Sequence, residues 1–391
     1  MADPRTTDKT ICGGSNVDIS QIRSQFPYLD RCVFLNHAGV SPLPSSVADA
    51  MRSYLDDIEL HATAYEKQWW KREDDLRDYL AKLLNCDRSE IAITKNTSEG
   101  ISFIANGIAW KPQDNVIISN VEFPANVYPW LALERKGVEI RFAREREDGR
   151  ITLEDVAALA DAGTRVIALS LVEYASGFRI PAEEIGEFCR SRGILFVLDV
   201  FQAAGALDVD VKDLRADAVA CAFHKWLMGP EGIGFLYIRK DVMASIDVLE
   251  WGWKSVTVPY TSFDYKLEPK PDASRYECGT LNTCGIYGAA AALELCLQAS
   301  IDNVESRIIE LTDWLCNELS KRGCKVFSPR ASGEKSGIVS FVHPSKPACQ
   351  IVRELAERNV IAVERAGRVR VAPHYYNTYE DLVQLLDCVS S

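Results

Sequence analysis

A chain of 391 residues is too long for one small core, so two domains are expected. Hydrophobic residues make up 47% and charged residues 26%, with a mean hydropathy of −0.09, values ordinary for a soluble globular protein. A net charge of −12 argues against nucleic acid or an anionic membrane surface as partner, while leaving room for a local basic pocket.

The opening Met1–Asp8 is polar, lacks a signal-peptide pattern and is expected to fray. No run approaches the ~20 apolar residues that span a bilayer, so no membrane partner is expected. The twelve cysteines are scattered without CxxC pairs, and the five histidines show no metal spacing. They read as reduced thiols in a cytoplasmic, metal-free protein.

Residues 15–45 read as an N-terminal arm, and Ser41-Pro42-Leu43-Pro44 opens a helix running to about residue 60. From about 90 to 240, short apolar runs alternate with amphipathic stretches such as Glu183–Arg192. The runs are Ile91–Thr94, Asn115–Ser119, Val138–Phe142, Arg165–Ser170 and Ile194–Leu198. Continuous apolar runs suit strands covered on both faces, and their alternation with helices predicts a mainly parallel sheet with right-handed crossovers. An irregular, aromatic-rich stretch follows over 250–285, then one long helix over about 286–322. The tail mixes strands (Gly337–Val342, Val360–Val363, Arg368–Val371) with helices (347–358 and 378–388). The expected fold is therefore α/β, with an α+β C-terminal domain. The expected division is an arm over 1–45 joining the small domain, a large domain over 46–285 and a small domain over 286–391.

Lys225 leads out of one apolar run and into another, within Cys221–Pro230 and before Glu231–Ile238. Trp226, Leu227 and the nearby glycines point to a tight, partly buried turn, which depresses a lysine pKa. Asp199 ends the run Phe196–Leu198, one crossover before the lysine. A lysine facing an aspartate across such a crevice suits a Schiff base to pyridoxal phosphate (PLP), with the carboxylate on the pyridinium nitrogen. Asn96-Thr97-Ser98-Glu99-Gly100 lies between a strand and a helix. On its own residues it reads as a capping box of Asn96 with Glu99, although a helix start also suits a phosphate.

Taken in order, Asn96–Gly100, Glu122–Trp130, Asp199–Gly205, His224–Gly234 and Glu277–Asn282 resemble the class V aminotransferases. This branch of the aspartate-aminotransferase fold (PLP fold type I) includes cysteine desulfurases and isopenicillin-N-epimerase-like enzymes. The resemblance implies a seven-stranded-type sheet with helices on both faces. It implies that Thr97, Ser98 and His224 bind the cofactor phosphate, that Phe123 stacks on the ring and that Gln202 bonds its phenolic oxygen. Asp199 would stabilise a Cα carbanion, and Lys225 would form the aldimine and act as base. Ala222 stands where many relatives carry a phosphate-binding serine. Gly279-Thr280 matches a loop that reaches the neighbouring subunit's phosphate, implying a homodimer with shared active sites. Arg370 matches the arginine that grips the α-carboxylate of a small amino-acid substrate. Asn36 and His37 match a loop over the active site, with His37 a further catalytic or substrate contact, and Asn126 is a further substrate contact.

Three departures set the chain apart from the desulfurases within this resemblance. Residues 361–369 hold no cysteine, Phe123 replaces a stacking histidine, and Leu171–Gly177 lacks an asparagine. The expectation is an aminotransferase, an epimerase or a C–S lyase. A desulfurase with a non-standard nucleophile, Cys278 or Cys284, is a second reading, and a non-catalytic scaffold of the same fold a third.

Overall fold

The structure, a computed structural model, describes residues 19–389. The expected fraying of Met1–Asp8 lies outside the described residues. In chain order the strands are β1 (Val33–Phe34), β2 (Ile91–Thr94), β3 (Asn115–Ser119), β4 (Glu139–Ala143), β5 (Thr164–Ser170), β6 (Leu195–Asp199), β7 (Ala218–Ala222) and β8 (Gly234–Ile238). The tail adds β9 (Lys325–Val326), β10 (Val339–Val342), β11 (Val360–Ile361), β12 (Val363–Arg365) and β13 (Arg368–Val371).

Seven strands form one sheet in the order β2-β8-β7-β6-β5-β3-β4. β8 runs antiparallel to both its neighbours, and the remaining pairs are parallel. β3, β7 and β8 are buried along their whole length, as strands covered on both faces must be. Alternation divides the apolar residues between two cores. Ile117, Ile167 and Phe196 face one layer of helices, and Val116, Val166 and Val197 face the other.

The helix Glu66–Leu84 has no counterpart in the expected elements. It carries ten charged residues, and its apolar face is the sparse set Trp69, Leu76, Leu80, Leu83 and Leu84. The single helix expected over 286–322 is two helices, Thr283–Ala299 and Ile301–Lys321, bent by 77° at Ser300. Ser300 adopts φ 63°, a left-handed conformation that no continuous helix contains. The first helix is Ala-rich and buried nearly all round, packing on Ser45–His61 and Glu66–Leu84. A side-chain carbon added at Gly288 would lie 2.9 Å from Met51 and from Pro230. The second helix is amphipathic and lies against the small sheet, with Leu311, Leu315 and Leu319 in a separate core. The side chains of Thr283–Ala299 therefore belong to the core of the large sheet, beyond the expected boundary at 285.

The small sheet is antiparallel, in the order β12-β13-β10-β9. β1 pairs in parallel with β11, and Asn36 bridges to Ala372, so the chain before the large sheet is tied to the tail. Polar contacts join the halves directly, two of them from buried serines. Ser328 Oγ donates to the Ser176 carbonyl at 2.5 Å, and Ser336 Oγ donates to the Gly177 carbonyl at 2.6 Å. Among the described residues no single helix is long and apolar enough to cross a membrane.

Candidate active site

The C-terminal ends of β3, β5, β6 and β7 open onto one crevice, where ligands gather in open α/β sheets. A cavity of about 320 Å³ lies there, lined by Thr97, Ser98, Phe123, Gln202, His224, Lys225 and Arg370 among others. Asp199 ends β6 beneath it, 5% exposed, and its Oδ1 accepts from the Phe201 amide at 2.8 Å. Burial raises its pKa, opposed by that amide and by the Lys225 charge.

Lys225 is 8% exposed on the turn between β7 and β8. Its Nζ lies 3.8 Å from the Phe201 ring centroid and 5.3 Å from that of Phe123. Burial lowers its pKa to about 8; Asp199 resists this and Arg370 adds to it. The amine thus gives up its proton far more readily than a solvated lysine, as suits a nucleophile or base. Phe123 is 42% exposed, with its ring edge against Tyr174 at 5.4 Å. An exposed aromatic face over a lysine is shaped for a flat ring.

Thr97 begins the helix Thr97–Gly107, capped by Asn96, whose Oδ1 accepts from the Glu99 amide at 3.0 Å. The expected cap is present, but the Glu99 carboxylate reaches the Lys95 amide at 2.6 Å rather than that of Asn96. The Thr97 hydroxyl is buried without a partner, and so is Nδ1 of His224. Nε of Arg370 is also buried and unpaired. Buried polar atoms left open in one cavity mark places where a ligand completes the bonding. A helix start with an orphan hydroxyl, an imidazole, a lysine, a carboxylate and an exposed ring fit a phosphorylated pyridine aldehyde.

Gln202 lines the cavity with most of its amide committed. Its Oε1 accepts from Trp226 Nε1 at 3.0 Å and its Nε2 donates to the Ala38 carbonyl at 3.0 Å, leaving one N–H. Arg370, 2% exposed, donates to the Tyr174 carbonyl at 2.8 Å and to Asn36 Oδ1 at 3.1 Å. Asn36 therefore acts on the site by orienting the arginine.

Two expectations are corrected. His37 is fully buried: its Nδ1–H donates to the Ala372 carbonyl at 2.8 Å, so Nε2 accepts from the Tyr376 hydroxyl at 2.6 Å. Burial holds its pKa well below the usual range, and both nitrogens are spent on the protein, so it has no free atom for substrate. Asn126 is likewise buried, donating to Glu122 at 3.0 Å and accepting from Trp130 at 2.9 Å. Neither lines the cavity. Gly279 and Thr280 lie outside it too, on a loop where Thr280 is exposed.

The sequence reading missed Phe201, Tyr174 and Arg365, which line the cavity. It also missed two buried carboxyls, Glu122 and Glu173. Glu122 accepts from Ser170 Oγ at 2.5 Å and from the Ser170 amide at 2.8 Å, and burial raises its pKa to about 7. Glu173 is pushed well above the carboxylate range by burial and by Glu122. Phe201 was legible in principle, standing between Asp199 and Gln202.

The chain is 29% identical to a probable cysteine desulfurase of Methanothermobacter thermautotrophicus, over 93% of this chain and 95% of that one. It is 30% identical to a cysteine desulfurase of an Enterobacter species, covering 83% and 82%. A cysteine desulfurase structure from Thermococcus onnurineus superposes with a TM-score of 0.86 at 26% identity, covering 95% and 97%. A mutant of C-DES with glycine covalently linked to its PLP cofactor superposes at 0.87 and 25% identity, covering 94% and 99%. The Aminotransferase class-V family matches residues 33–381, and the chain belongs to that family of PLP-dependent enzymes, in the fold type I architecture.

Proposed function

We propose that this protein uses PLP to cleave the Cβ–S bond of a cysteine-derived amino acid by β-elimination. The observation that carries this reading is a sulfur-handling ancestry without a sulfur nucleophile. The similar proteins include cysteine desulfurases, yet among the described residues no cysteine lines the cavity. Between β12 and β13 only Ala366 and Gly367 intervene, a two-residue turn with φ 49° and 72° that leaves no loop to carry a thiol. Cys221 is fully buried on β7, where burial pushes its thiol pKa well up. Without a thiolate to accept sulfur, the sulfur departs with the leaving group.

The bound PLP ring supplies an electron sink for the pair left when the Cα proton is removed. Thr97, Ser98, His224 and the amides of the helix start would hold its phosphate. Asp199 would keep the nitrogen of a bound ring protonated, and Phe123 would cover one face of it. Arg370 holds the α-carboxylate and fixes which Cα bond faces Lys225. Lys225, once its amine is free, takes the Cα proton; its lowered pKa makes it a base at neutral pH. The Cβ–S electron pair leaves with sulfur as a thiol, and water completes the balance, giving an α-keto acid and ammonia.

The active unit is a homodimer. Trp253 and Tyr260 are 47% and 65% exposed, and Phe263 and Tyr265 are both 87% exposed. This segment adjoins the Gly279-Thr280 loop, since a side-chain carbon added at Gly279 would lie 3.8 Å from Trp253 Nε1. A second copy covers these aromatics and brings its loop to the phosphate end of the site.

The test is product analysis of the PLP-loaded enzyme with cysteine thioethers and disulfides. A thiol from each thioether, or a persulfide from each disulfide, should appear with equal amounts of keto acid and ammonia over many turnovers. Cys278→Ser and Cys284→Ser should leave that stoichiometry and rate intact. One equivalent of keto acid with a stable amino form of the cofactor would mean transamination. Loss of sulfur release in Cys278→Ser would restore the desulfurase reading, with the thiol supplied by the other copy.

A further inference from the structure

We propose that Arg365 binds a second anionic group, at the far end of the substrate side chain, so that the site selects amino acids whose side chains end in a carboxylate or similar anion. This rests on reading the cleft as an amino-acid site. Arg365 ends β12, exposed, and lines the cavity together with Arg370. The β12–β13 register sets Arg365 opposite Arg368 and Val363 opposite Arg370. Residues 363, 365, 368 and 370 therefore share one face of the hairpin.

Three guanidiniums on one face of a short hairpin repel one another, and like charges directly opposite across strands are destabilising. Among the described residues none of the three forms an ion pair. Arg370 is bound by the Tyr174 carbonyl and Asn36, and Arg368 by Ser340 Oγ at 3.2 Å and the Phe327 ring at 3.8 Å. Arg365 bonds only the Glu364 backbone carbonyl, at 2.7 Å. Arg368 feels the charge of Glu145, itself half-buried, without pairing to it. Positive charge from Arg365 reaches both Lys225 and Arg370. All this occurs in a chain with a net charge of −12, where carboxylates are plentiful elsewhere.

The substrate α-carboxylate answers Arg370, whose buried Nε is unpaired. That leaves Arg365 at the mouth, on the same hairpin face and held by a tight turn. A neutral side chain would leave this charge uncompensated; an anionic one would complete it.

The test uses probes that cannot react. Dissociation constants of glutarate and butyrate are measured on the PLP-loaded enzyme from the visible band, and by calorimetry on the apo-protein. Glutarate should bind at least about tenfold tighter than butyrate. The ratio should collapse toward one in Arg365→Gln and be partly retained in Arg365→Lys. Should Arg365→Gln not fold, salt provides the second measurement: on the unaltered chain, glutarate affinity should fall more steeply with ionic strength than that of butyrate. Equal affinities for the two probes, an unchanged ratio in Arg365→Gln or parallel salt slopes would overturn the assignment. Because neither probe reacts, the ratio stands or falls separately from the elimination chemistry.

Discussion

Lys225 is a buried amine faced by aromatic rings, with the Asp199 carboxylate opposing its loss of charge. Burial disfavours its charged form and brings its pKa from 10.5 to about 8. In the window between these values the unfolded chain binds a proton that the folded chain does not, so this residue's contribution to stability rises with pH across it. In the apo-protein, acylation of Lys225 followed by peptide mass mapping should rise through about pH 8 and level off, while surface lysines continue rising toward 10. A Lys225 midpoint above 10 would mean the amine is solvated. Arg370 is tested by binding: Arg370→Ala should raise KM for carboxylate substrates about tenfold to a hundredfold while PLP stays bound. Loss of the cofactor's visible band would instead make the arginine a structural residue. Lys225 and Arg370, which line the cavity, and Asp199, which ends β6, stood out because each is a charged residue in an apolar setting that local sequence displays. His37 and Asn126 were misread because their hydrogen-bond partners decide their role, and the partners of His37 are 335 and 339 residues away.

Elements with strong local signals were read well: all five strands expected over 90–240 start within one residue of their expected starts, and β2 and β3 coincide with them in full. The helix Glu66–Leu84 was hidden because charge dominates it and its apolar stripe is thin. The break at Ser300 was hidden because serine signals no turn by itself, and apolar residues continue on both sides. That break stores strain, since a non-glycine residue at φ 63° and ψ 129° is sterically disfavoured. Ser300→Gly should raise the stability of the folded chain by about 1 kcal/mol, read as a higher denaturant midpoint. A lower midpoint would show that the serine side chain contributes more than its backbone costs.

At the scale of the whole molecule, the mainly parallel sheet was legible from apolar runs separated by amphipathic stretches. The sharing of a site between copies was suggested only by the Gly279-Thr280 resemblance, because one chain's sequence does not display what a second copy covers. Subunit complementation tests that sharing. Lys225→Ala removes the lysine from its own site but leaves its Gly279-Thr280 loop intact for the other copy. A Thr280→Trp chain keeps its lysine and blocks the phosphate end of the opposite site. Each homodimer should be inactive. Refolding equal amounts together yields heterodimers in about half of the molecules, each with one intact site and one doubly altered site. About a quarter of the unaltered activity should therefore return, and the elution volume should remain that of a dimer. If each site is instead built from a single chain, the Thr280→Trp homodimer keeps its activity and mixing adds nothing beyond it.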